Sequence, residues 1–88
     1  MKLIIAILRD IDKDPVSTSL VASGFRVTLV SSTGGFLKRG SSTLMIGVDD
    51  EKLEEALQTI RTHLDPSGTS ESKKATLFVL NVEHYAQI

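Results

Sequence analysis

Cysteine is absent from the 88 residues, so no disulfide can staple the fold and no thiolate can serve as a metal ligand or nucleophile. The two histidines, His63 and His84, are too far apart in sequence for a metal-ligand spacing. An excess of one charge is also missing: ten Lys+Arg face eleven Asp+Glu, a net charge of −1. Proteins that live on phosphate backbones carry a basic total, so DNA and RNA are not expected as partners. Nor is there a long hydrophobic run. Leu3 to Leu8 is too short for a signal core, Arg9-Asp10 follows it instead of a cleavage site, and nothing approaches a membrane span. A cytoplasmic protein without a membrane partner is the expectation.

At 41% apolar and 24% charged, the composition is that of an ordinary folded domain. The length predicts a single domain over residues 1–88. So short a chain buries only about 60% of its unfolded surface, and a neighbouring subunit is the natural supplement.

Leu3 to Leu8 is an apolar, β-branched run bounded by charge, which predicts a strand buried on both faces or packed under helices. A helix start is predicted at Asp12-Lys13-Asp14-Pro15, with Asp14 as cap and Pro15 in the first turn. Val16, Leu20 and Val21 continue it at helical spacing, and Gly24 marks a left-handed stop. Phe25 to Ser31 alternates as a strand, placing Arg26 and Thr28 side by side on one face and Phe25, Val27 and Leu29 on the other. Ser42 to Val48 is a third strand. Asp49-Asp50-Glu51 opens the strongest helix, with an apolar stripe of Leu53, Ala56, Leu57, Ile60 and Leu64. Residues 65–74 read as a loop and Ala75 to Val82 as the last strand. The order strand–helix–strand–strand–helix–strand predicts an α+β, ferredoxin-like sandwich, with two helices on one face of a four-stranded antiparallel sheet. Its other face needs a cover, and another subunit is the expected one.

Chemistry concentrates in Ser31-Ser32-Thr33-Gly34-Gly35-Phe36-Leu37-Lys38-Arg39-Gly40. Small residues admit a ligand close to the backbone, and successive N–H groups can cradle an anion. With Arg26 and Thr28 upstream, the set suits a nucleotide, phosphate on one side and base on the other. The plainer alternative is a glycine turn with Phe36 and Leu37 tucked into the core. The segment is neither a Walker loop nor a dinucleotide fingerprint. Catalytic signals are poor: His63 falls at a helix end, where it caps carbonyls, His84 lies in the tail, and no nucleophile motif is present.

Met1 to Ile7, Arg26, Thr28, Ser32 to Leu37, Gly40, Thr43, Gly47-Val48 and Thr76 to Val79 together resemble the cyclic-di-AMP receptor family of PII-like bacterial signal proteins. The resemblance implies a homotrimer of ferredoxin-like subunits that binds cyclic di-AMP at inter-subunit clefts, without catalysis and without a cofactor. By position, it implies that Arg26 and Thr28 hold phosphate and that Gly35, Phe36 and Leu37 shape the pocket beside the base. The Gly47 backbone then meets the adenine edge and Phe78 packs against it. Ser41 and Gly24 stand where the family usually carries Asn, so Ser41 offers adenine one hydroxyl in place of a two-point amide, a loss of about 1–3 kcal/mol. The family's long loop before the last strand is reduced here to about residues 65–74. A paralogue for another adenine nucleotide, or one that has lost binding, is the alternative. A small enzyme using His63 or His84, or a pure interaction module, comes behind these. No downstream protein partner can be read from the sequence.

Overall fold

Residues 1–30, 41–64, 75–83 and 86 are described in the computed structural model of the chain. The elements follow the predicted order: β1 (Lys2–Arg9), α1 (Asp10–Ala22), β2 (Arg26–Val30), β3 (Ser41–Val48), a single 3₁₀ turn over Asp50–Lys52, α2 (Leu53–Thr62) and β4 (Ala75–Asn81). The sheet runs β2-β3-β1-β4 with every neighbouring pair antiparallel, the ferredoxin-like order.

Both helices pack on one face. Alternate residues of β1 (Ile4, Ala6, Leu8) and β3 (Leu44, Ile46, Val48) meet Val16 and Leu20 of α1 and Ala56 and Ile60 of α2, all buried. The α2 stripe is as read from the sequence, with Leu53, Leu57 and Leu64 packed around that core. β1 is central, but only its helix-side residues are fully buried; Leu3, Ile5 and Ile7 on the opposite face are partly exposed. The apolar run of β1 therefore serves two unlike surfaces.

α1 departs from expectation at its start. It begins at Asp10, four residues before the predicted Asp14 cap, and Pro15 lies inside it. Arg9 takes the N-cap position, and its side chain reaches forward, Nε donating to Asp12 Oδ2 at 2.9 Å. Ser42 Oγ on β3 donates to Asp10. The local Arg9–Asp12 pair and the tertiary Ser42–Asp10 contact, with two carboxylates in the first turn where the helix dipole favours them, outweigh the local proline signal. At the other end Gly24 adopts φ +90°. Its N–H donates to the Val21 carbonyl, and that of Phe25 to the Leu20 carbonyl, each at 3.0 Å. That pair is a Schellman stop, which needs the left-handed residue that glycine supplies most cheaply. Of the residues at helical spacing in α1, Val16 and Leu20 are buried but Val21 is more than half exposed, as is Leu29 on β2. Leu29 belongs to the edge strand β2, where one side of the sheet has no neighbour.

Candidate functional site

The sheet face away from the helices carries the candidate residues, and strand register fixes their arrangement. One cross-strand row reads Arg26, Gly47, Leu3, Leu80; the next reads Thr28, Met45, Ile5, Phe78. Because side chains alternate, the seven side chains of these rows share one face, with Gly47 leaving its backbone bare on it. Arg26 and Thr28 are exposed on β2, two residues apart.

Beside them lies a concavity of about 760 Å³, lined by Arg26, Thr28, Met45, Gly47, Met1, Leu3, Asp49 and Val82. Its floor is mainly apolar, with the guanidinium and hydroxyl at the β2 side. That volume lies within the range of small-molecule sites, about 300–1,000 Å³. A smaller hollow of about 270 Å³ adjoins it across Arg26 and Gly47, and includes Phe25 and Lys52. The Met1 side chain lies over Gly47: a Cβ at residue 47 would stand 2.8 Å from the Met1 methyl carbon. The Met1 backbone is fastened on both sides. Its α-ammonium meets Asp50 Oδ1 at 3.0 Å, and its carbonyl accepts from the Val82 N–H at 3.0 Å. The ammonium's hydrogen bond and charge hold the Asp50 carboxyl below its ordinary value of 3.8.

The structure thus joins Arg26, Thr28 and Gly47 in one concavity. It does not bring Phe78 or Ser41 to it within one chain. Phe78 is on β4, three inter-strand steps from Thr28, about 14 Å away. Ser41 is at the far end of β3, six residues and about 20 Å from Gly47. Gly35, Phe36 and Leu37 lie outside the described residues, as does His84. Met1, Leu3, Met45, Asp49 and Val82 join the site although sequence reasoning did not single them out. For Met45, strand alternation relative to Gly47 was a usable signal; the rest depend on register.

Thr43, on the same face as Met45, is buried, and its hydroxyl has no hydrogen-bond partner among the described residues. His63 behaves as its position predicts. It takes the C-cap of α2, and its Nδ1 donates to the Thr59 carbonyl at 2.8 Å. Among the described residues no cluster of three His or acidic side chains is arranged to hold a metal ion, and no helix is long and apolar enough to cross a membrane.

Comparison with known proteins adds two findings. The sequence profile of the cyclic-di-AMP receptor matches residues 1–67. The chain is also similar to a functionally unknown protein from Pediococcus pentosaceus ATCC 25745, known from its crystal structure. The two share 34% identity over 99% of this chain and 96% of that one, with a TM-score of 0.77.

Proposed function

This chain belongs to the cyclic-di-AMP receptor family, and we propose that it is a non-enzymatic, PII-like signal protein that binds cyclic di-AMP in clefts between the subunits of a cytoplasmic homotrimer. The observation that carries the reading is the placement of Arg26 and Thr28 at one side of a largely apolar concavity floored by Gly47 and Met45. A guanidinium and a hydroxyl two residues apart on a strand can share one phosphate, the former through paired charge-assisted bonds. A glycine beneath lets the flat base approach the backbone. Arg26 is the cationic side chain lining the concavity, so the anionic end of the ligand belongs at β2.

Inter-subunit binding accounts for the separation of the remaining candidates. Phe78 and Ser41 are too far from Gly47 to complete the same pocket within one chain, whereas a neighbouring subunit can supply them, Phe78 from its edge strand β4 and Ser41 from the end of its β3. Gly35, Phe36 and Leu37 contribute beside the base in this reading. It needs no cofactor, and the ligand is the small nucleotide itself.

Isothermal titration with cyclic di-AMP, against ATP and cyclic di-GMP as controls, tests the proposal. Saturation near one ligand per subunit is expected, lost in Arg26→Ala while the protein keeps its wild-type melting temperature and sedimentation. Absence of heat with cyclic di-AMP overturns it. The second reading, a paralogue for another adenine nucleotide, is favoured by Ser41 and Gly24 standing where the family usually has Asn. Saturation by ATP alone would establish that one.

A further inference from the structure

The sequence has two methionines, and both line the same concavity. Met45 sits on β3 between Thr28 and Ile5, two residues from Gly47 on the same face. Met1 extends its methyl group over Gly47 from the other side. Its backbone is tied to Asp50 and Val82, so the thioether arm is the part of this residue free to move. Among the described residues no aromatic side chain lines this concavity: Phe25 borders the smaller hollow and Phe78 lies across the sheet.

We propose that Met1 and Met45 form the deformable apolar surface against which a purine ring of the bound nucleotide packs, with the Met1 methyl group swinging off Gly47 to admit it. This rests on the nucleotide-receptor reading given above and adds the residues that take the base. Methionine is unbranched and polarizable, adapts to irregular gaps and makes favourable contacts with aromatic rings. A purine offers such a ring and, unlike a peptide side chain, arrives joined to a phosphate for Arg26 and Thr28. The methyl group over Gly47 occupies the place where a close approach to backbone is possible, and its displacement costs little because it is the end of a flexible chain.

Protein labelled with ¹³C at the methionine methyl groups gives two resonances, which Met45→Leu assigns by removing one. Cyclic di-AMP is titrated in parallel by calorimetry and by NMR. Both resonances are expected to shift under the purine ring current, along the calorimetric saturation curve. Met45→Ala is expected to weaken binding about threefold to tenfold, within the range for a lost sulfur–aromatic contact, and Met45→Leu, which keeps the apolar volume but not the sulfur, by less. Calorimetric saturation with both methyl resonances stationary overturns this inference and leaves the receptor reading intact. So does full-strength binding by a folded Met45→Ala. Absence of heat in the wild type overturns the receptor reading, and this inference falls with it. Should Met45→Ala fail to fold, the wild-type resonances alone decide.

Discussion

Thr43 shows how much a single atom can disclose. Its buried hydroxyl has no partner among the described residues, and a hydroxyl so placed carries a desolvation cost of about 1–3 kcal/mol, which a methyl group of the same shape does not. Thr43→Val is therefore expected to leave stability unchanged or raise it by up to about 1 kcal/mol, read as the urea midpoint. A clear fall would mean that the hydroxyl is already satisfied. Asp50 makes a prediction in pH. Its carboxyl is held below 3.8 by the Met1 ammonium, so its contribution to stability is complete above the ordinary carboxylate pKa and disappears as pH falls through the lowered value. Both partners are largely exposed, so the effect is small. An NMR titration should place the Asp50 midpoint below 3.8, and Asp50→Asn should flatten the acid limb of the melting temperature. At this scale the sequence was informative about the shared strand face of Arg26 and Thr28 and the end-capping of Gly24 and His63, because each follows from local spacing. It was silent about Asp12, buried and bonded to Arg9, since nothing local distinguishes it from Asp10 or Asp14.

Elements were legible where periodicity and end signals agreed. In α2 the stripe, the acidic start and the terminal histidine all point to one helix, and it forms with Ala56 and Ile60 inward. Ile60 is fully buried at the junction of α2 with the sheet. Ile60→Ala is expected to cost about 2–5 kcal/mol. In a domain this small each kcal/mol lowers the melting temperature by about 4–8 °C, so calorimetry should show the loss plainly. A change of less than a degree would mean that α2 does not anchor the core. In α1 the signals disagreed. The Asp14-Pro15 pair is a sound helix start by local rules, yet Arg9–Asp12 and Ser42–Asp10 extend the helix back to Asp10. The Ser42–Asp10 contact joins β3 to α1 across 32 positions of sequence, and no window of local pattern contains both partners.

For the whole molecule the notable feature is the sheet face that neither α1 nor α2 covers. Leu3, Ile5, Ile7 and Met45 are partly exposed there, and Phe78 and Leu80 on the edge strand β4 are about half exposed. A contiguous apolar face of this kind on a small domain marks an interaction surface. If the face is covered by sister subunits, Phe78→Asp combined with Leu80→Lys should convert a trimer into monomers at micromolar concentration, while circular dichroism keeps its helical signal. Analytical ultracentrifugation decides, and an unchanged sedimentation coefficient would assign the face to another role. What the sequence determined by itself is the order and type of the elements, the apolar faces of β1, β3 and α2, and the pairing of Arg26 with Thr28. All of these depend on residues within one turn or a few strand positions of one another. Tertiary structure alone decided which strands are neighbours, and hence that Gly47 lies beside Arg26, that Met1 and Met45 share one concavity, and that Phe78 and Ser41 stand apart from it. Register sets those distances, and register is a property of paired strands that no single segment contains.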